Sequence, residues 1–228
     1  GYNRDPMPDE VHAQEAVRFL EESHEKPFLL TVGFSRPHSP WYAPQEFFDL
    51  FPLDGVELAP FLEGDLEDVS KILSQEQDIA QPWGWHKYKK VINNGGEEQL
   101  RKWTQAYLAC VAFVDHQVGK ILRALNASEY SDNTLVIFTS DHGYHMGEKE
   151  YIFKYTPWEE SVRVPLIIAG PGVSMGSSES HPVSLVDIYP TCLEFAQLDA
   201  NGSFDGHSLL PFLTGSNKFL MESILRKL

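Results

Sequence analysis

Cysteine is scarce in this chain: 2 in 228 residues, Cys110 and Cys192. Each stands inside an apolar helical pattern, which reads as two buried small hydrophobic side chains and not as a disulfide. A disulfide framework is thereby excluded as the organising device, and cysteine usage leaves the compartment open. Long apolar runs are missing as well. No window approaches the roughly 18 uncharged apolar residues of a membrane-spanning helix. Positive charge is short too, with 18 Lys and Arg against 33 Asp and Glu and a net charge of −15. That balance disfavours nucleic acid and anionic membrane surfaces as partners. The first residues, Gly1-Tyr-Asn-Arg-Asp5, are polar and lack both an initiator Met and a signal-peptide pattern, so the sequence reads as an internal piece of a longer chain.

What is present is the composition of a globular domain, 42% hydrophobic and 12% aromatic. The length suffices for one large domain with a substantial core. Residues 9–22 have apolar side chains near helical spacing, with Asp9 expected at the N-cap after Pro8. Residues 28–34 read as a buried strand, and 35–95 as a long, mostly irregular connection rich in Pro, Gly and Trp with short helical pieces such as 44–50, a length usually functional. A long helix is expected over 97–125, where Leu100, Trp103, Tyr107, Cys110, Val111, Val114, Val118, Ile121 and Leu125 follow a helical period. Strands at 135–138 and 165–169 and a helix over 184–198, opened by Ser184 and Asp187 at capping-box spacing, complete the pattern. Strands alternating with helices predict an α/β fold, a doubly wound, mostly parallel sheet flanked by helices.

The most informative stretch is Thr134-Leu-Val-Ile-Phe-Thr-Ser-Asp141-His142-Gly143, continuing through Gly147 and Glu148 to Lys154. An apolar strand ends in a carboxylate, an imidazole and glycines. In open α/β sheets ligands bind at the carboxyl ends of strands. An Asp beside a His can present oxygen and nitrogen to a cation; the same residues also suit a plain turn after a core strand.

Ser140-Asp-His-Gly…Gly147-Glu…Lys154, followed by Val164-Pro-Leu-Ile-Ile-Ala-Gly-Pro-Gly172, resembles the C-terminal half of the sulfatase catalytic domain, most of all the iduronate-2-sulfatase and choline-sulfatase-like members of this alkaline-phosphatase-like superfamily. Further matches lie in the same order: Lys26 to Pro40 with its Arg36-Pro37-His38 end, Tyr107 to Gly119, and Ser184 to Thr191. The resemblance implies that residues 1–215 are the C-terminal part of a sulfatase-like catalytic domain, incomplete as it stands, with 216–228 a tail or the start of a truncated subdomain. It implies a sulfuric ester hydrolase dependent on Ca2+ and formylglycine, exported to the periplasm, the exterior or the lysosome. The expected substrate is a sulfated carbohydrate or small sulfate ester, against which the negative net charge calls for a locally positive site.

The resemblance places Asp141 and His142 in the calcium shell, where most members carry Asn after the Asp. It gives Lys154, thirteen positions after Asp141, to a sulfate oxygen, and His38 to the sulfate and the leaving oxygen. Arg36 is expected at the sulfate or a substrate subsite. His145, Glu148 and Lys149 lie in the site loop without a role assigned. Trp41, Tyr42, Trp83 and Trp85 are either sugar-stacking faces or loop anchors. Asp115 and Asp187 read as structural. The Cys/Ser-x-Pro-x-Arg motif that yields formylglycine does not occur in the sequence, nor does the paired-Asp strand end. Both are expected upstream, and the isolated piece is expected to be inactive. Two other readings remain open: a phosphodiesterase or phosphonate monoester hydrolase of the same superfamily, and a non-catalytic protein that binds sulfate or sugar. The sequons Asn126-Ala-Ser128 and Asn201-Gly-Ser203 matter only in a eukaryotic secreted protein.

Overall fold

The structure, a computed structural model, describes residues 4–67, 69, 83–199 and 202–215, with Trp83 described by its backbone only. Asn201 and the 216–228 tail therefore lie outside the described residues. The chain forms two compact units, one of Gly1–Ser131 with His142–Arg163 and the other of Asp132–Asp141 with Val164–Leu228.

The first unit is built on helices. Helix α1 spans Pro8–Glu21 and α2 is a single turn, Gln45–Phe48. Asp9 is not the cap of α1: Met7 holds that place, its N–H donating to the Glu10 carboxylate at 2.8 Å. Proline at N1 explains the start, since its missing N–H would have no partner there. Helix α3, Trp83–Ala127, is broken at Gly96, whose φ of 59° and ψ of −152° are non-helical. A side chain at such a positive φ is strained, which is why glycine holds the break. The arm after Gly96 matches the predicted helix. The arm before it corrects the expectation of irregular chain: Asn93-Asn94-Gly95-Gly96 and the preceding prolines hide one amphipathic stretch behind breaker residues.

The two arms of α3 clasp one hairpin. Val91 before the break and Leu100 after it bury Ile152 between them. That hairpin pairs β2, His145–Met146, with β3, Ile152–Phe153, antiparallel, with His145 opposite Phe153. Lower on α3, Ala109 and Phe113 pack on Phe47 of α2, with Met7 ahead of α1 against the same cluster. A short helix, α4 (Glu159–Val162), closes the loop after β3.

No ladder involves residues 28–34, which alternate between half-buried and exposed, with Leu29 83% exposed. The expectation of a buried strand fails there because no described strand supplies its backbone with partners.

In the second unit β1, Val136–Thr139, pairs antiparallel with β4, Leu166–Ala169, Thr139 facing Leu166. Both ladders among the described residues are thus antiparallel, as an edge pair of a mixed sheet can be. Leu166 and Ile168 turn to Leu209 and Phe212 of α6 (Leu210–Leu213) and its flank, while Ile167 on the other face is 60% exposed. Helix α5, Ile188–Phe195, is shorter than the helix expected and follows a 3-10 turn over Leu185–Asp187. Ser184 and Asp187 form the anticipated capping box, and the second Asp187 oxygen accepts from His207 N–H at 2.8 Å. Both cysteines are free thiols, Cys110 buried and Cys192 half-buried.

Candidate active site

In the second unit Asp141 follows the end of β1. It is exposed, with Ser140 Oγ 3.4 Å from its Oδ1. The next residue, His142, opens the segment that belongs to the first unit. His142 Nδ1 lies 2.8 Å from Gly143 O. A carbonyl can only accept, so Nδ1 carries the hydrogen and Nε2 presents its lone pair. Lys154 Nζ donates to that Nε2 at 2.8 Å. The structure therefore brings two of the predicted residues into direct contact across twelve positions of sequence.

Three devices hold this contact. Gly143 N–H donates to Ser161 O at 2.8 Å, and a Cβ on Gly143 would stand 2.1 Å from Glu160 O, so the loop lies against α4 at a distance only glycine permits. The β2–β3 hairpin returns the chain, its turn fixed by Glu148, which accepts from Met146 N–H at 2.8 Å, and by the Lys149–Asp65 ion pair at 2.7 Å. Tyr151, fully buried, donates its phenol to Lys154 O at 3.2 Å. These contacts make Glu148 and Lys149 braces of the loop.

His145, the first residue of β2, is 0% exposed. Thr156 gives its hydroxyl hydrogen to Ser161 Oγ at 2.8 Å and so accepts from His145 Nε2 at 2.8 Å. That leaves His145 Nδ1 as a bare lone pair, buried and without a hydrogen-bond partner. Burial pushes the His145 pKa down, against the opposing pull of Glu160 and Glu148. The Tyr144 hydroxyl is likewise buried without a partner, and burial pushes its pKa up to about 12.

The His38 loop is anchored elsewhere. Asp9, 1% exposed, accepts from the N–H groups of Ser35 at 2.7 Å and Arg36 at 3.1 Å. Arg36 turns its Nε to Tyr42 O at 3.0 Å and so braces the same loop, with guanidinium N–H groups to spare. Trp41 Nε1 donates to Pro37 O at 2.9 Å. The Trp41 ring meets Trp103, Tyr107 and Tyr144 edge-on at 5.5, 6.2 and 6.0 Å, tying the His38 loop to α3 and to the site loop. His38 itself is exposed, its Nδ1 2.6 Å from Ser39 O. Again the carbonyl fixes the hydrogen on Nδ1 and leaves Nε2 for other chemistry. Trp41 and Trp85, whose Nε1 donates to Lys149 O at 2.9 Å, are loop anchors. Tyr42 is 64% exposed and free to stack.

Among the described residues no cluster of three or more His, Cys, Asp and Glu side chains could hold a metal ion. Calcium takes about six to eight ligands, mainly oxygen. Asp141 offers one carboxylate, and the His142 lone pair is already taken by Lys154, so these residues could supply at most a part of such a shell. Neither cysteine suits a modified nucleophile: Cys110 is buried, its thiol pushed up to about 11 by burial, and neither stands in a Cys/Ser-x-Pro-x-Arg motif.

Two residues escaped sequence reasoning. Asp9 was expected as a cap, and no pattern in sequence links it to Arg36. Lys87 stands with its ammonium 4.0 Å from the Phe153 ring centroid, on the helical arm the sequence concealed.

Comparison with known proteins agrees with the resemblance. Residues 2–198 match the Sulfatase family. The chain is 37% identical over 208 residues to a sulfatase of Formosa agariphila, covering 90% of this chain and 39% of that protein. It is 36% identical over 172 residues to mouse (Mus musculus) iduronate 2-sulfatase, covering 73% of this chain and 31% of that protein. The chain thus spans under half the length of these curated relatives. Among solved structures, a protein in complex with its substrate D-glucosamine-2-N,6-O-disulfate matches at a TM-score of 0.73 and 23% identity, over 92% of this chain and 53% of that one. A phosphonate monoester hydrolase of Agrobacterium radiobacter matches at 0.68 and 27%, over 89% and 41%. The fold is the α/β fold of the alkaline-phosphatase-like superfamily, present here in part, and the chain belongs to the sulfatase family.

Proposed function

We propose that the protein hydrolyses a sulfate ester carried by a sugar, with Lys154 and His38 as its catalytic residues from this chain. The observation that supports this most is the Lys154–His142 contact of 2.8 Å. A lysine ammonium has three N–H donors. One is spent on His142 Nε2, which aims the group and leaves two for the oxygens of a bound sulfate. As the S–O bond breaks, negative charge grows on those oxygens and on the leaving oxygen. A fixed ammonium stabilises it without reorganising. His38, its Nδ1 hydrogen held by Ser39 O, gives a proton to the leaving oxygen from Nε2 when the ring is in its doubly protonated imidazolium form. Arg36 lies in the same loop and serves the substrate with the N–H groups its bracing leaves over.

Asp141 and His142 would hold part of the calcium shell. Calcium supplies charge neutralisation of the sulfate and of the attacking oxygen. Lys154 and a cation draw on the same His142 lone pair: without a cation His142 holds Lys154 in place, and a bound cation would take His142 and leave all three Lys154 N–H groups to the sulfate. Formylglycine, the nucleophile of this family, has no counterpart among the two cysteines of this chain, and the residues here act around it. Export to the periplasm, the exterior or the lysosome fits the family, and no described helix is long and apolar enough to cross a membrane.

The test is release of inorganic sulfate from a sulfated hexosamine by the full-length protein. Turnover that falls at least about 10²-fold in Lys154→Met supports the reading; no release by the wild type overturns it. Phosphonate hydrolysis is the second reading, supported by the likeness to the Agrobacterium enzyme. A higher kcat/KM on a phosphonate monoester than on any sulfate ester would establish it instead.

A further inference from the structure

Lys87 and Lys154 approach one aromatic ring. The ammonium of Lys87 stands 4.0 Å from the Phe153 centroid and that of Lys154 6.0 Å from the same point. Both side chains are half-buried. Neither faces a carboxylate: the polar partner of Lys154 is His142, and among the described residues Lys87 has neither an ion pair nor a hydrogen bond. Burial, and then the charge on Lys154, push the Lys87 pKa down. The chain has 33 acidic residues against 18 basic ones, yet the partners of this pair are an imidazole and an aromatic ring and not a carboxylate. Two ammonium groups together repel each other unless an anion joins them.

The next residue after Lys154 adds a second peculiarity. Tyr155 is 80% exposed, and its φ of 72° lies in the left-handed region that side chains avoid. Such strain persists where the surroundings enforce it and gathers at ligand sites. The Tyr155 ring lies 5.5 Å from Lys154 Nζ and 5.5 Å edge-on to Phe153. A strained backbone thus keeps a broad apolar face in water beside the cation assigned to the sulfate.

We propose that Lys87 and Tyr155 form a subsite next to Lys154 for a sugar ring bearing an anionic group besides the sulfate that is cleaved, with Lys87 on that second anion and Tyr155 under the ring. This rests on the sulfatase reading for the role of Lys154 and adds the substrate class: a doubly charged sugar, not an acyclic or singly charged ester. A lysine is a compact point charge and suits a carboxylate or a second sulfate equally.

The experiment compares kcat/KM of the full-length protein on a monosulfated hexosamine, a disulfated hexosamine and a sulfated uronic acid. The wild type is expected to prefer one of the two doubly charged sugars by roughly tenfold or more, and which one names the second anion. Lys87→Met should abolish that preference through KM, and Lys87→Arg should restore it. Tyr155→Ala should raise KM for the sugars and not for an acyclic alkyl sulfate. Urea unfolding of each variant separates these effects from loss of fold. No preference in the wild type, or a preference that survives Lys87→Met, overturns the subsite. If the wild type releases no sulfate, the sulfatase reading fails separately, and calorimetric binding of the disulfated hexosamine to wild type and Lys87→Met decides the subsite: equal affinity, or no binding to either, refutes it.

Discussion

Replacing Gly143 by Ala tests how the site is held together. A Cβ there would lie 2.1 Å from Glu160 O, 3.0 Å from Glu160 C and 3.1 Å from Arg163 O. These are backbone atoms, so no flexible side chain can give way. Either α4 or the site loop must move by about 1.4 Å, given ordinary contacts of about 3.5 Å or more. The move breaks the Gly143 N–H···O=C Ser161 bond of 2.8 Å, costing about 0.5–1.5 kcal/mol. The overpacking adds about 1–3 kcal/mol, so the total is about 1.5–4.5 kcal/mol. The larger effect falls on chemistry. Gly143 O fixes the His142 ring, and His142 aims Lys154. A displacement of this size at a positioned group costs on the order of 10²-fold in rate. Urea unfolding of the full-length Gly143→Ala protein, with sulfate release measured on the same preparation, should show both losses. An unfolding free energy within about 0.5 kcal/mol of wild type, the usual range of an unconstrained surface change, together with wild-type turnover, would refute the close packing of this loop on α4.

Other expectations follow from single residues. Asp9→Ala removes a buried acceptor of two backbone N–H groups and should cost about 2–4 kcal/mol in urea unfolding while lowering sulfate release through the His38 loop; a neutral substitution would contradict its anchoring role. His145 has a folded pKa below its unfolded value. Only the unfolded chain takes up the proton as pH falls, so stability is complete above about pH 6.5 and declines below it by up to about 1.4 kcal/mol per pH unit. His145→Gln should flatten that decline between pH 6.5 and the folded pKa, and an unchanged slope would count against a neutral buried imidazole. Cys110, buried with its thiol pushed up to about 11, should resist iodoacetamide at pH 8 in the native protein and react only after unfolding; rapid native labelling would contradict the packing of α3.

Much of this was legible in sequence where the signal is local. An apolar strand ending in Asp141-His142-Gly143 marks the candidate site, and the apolar period of 97–125 shows the second arm of α3. The contact of Lys154 with His142 is not local. It depends on a hairpin of two two-residue strands, too short for any period, whose register is set by Ile152 lodged between Val91 and Leu100. Lys87 was hidden for a related reason: its helical arm ends in Asn-Asn-Gly-Gly, which reads as a turn, and tertiary packing overrides that reading. Residues 28–34 show the reverse error. Their apolar run signals a strand, but a strand needs a partner, and none of the described residues pairs with it. Asp9 followed a proline as caps often do, and only the fold shows its carboxylate taken by Ser35 and Arg36.

The most direct test of the central claim is sulfate release from a sulfated hexosamine by the full-length protein beside its Lys154→Met and His38→Ala variants, each confirmed as folded. Turnover by the wild type that falls by about 10²-fold or more in Lys154→Met, and by about 10²-fold in His38→Ala, is the predicted result. Sulfate release at the wild-type rate by Lys154→Met, or turnover of phosphonate but of no sulfate ester by the wild type, would contradict it.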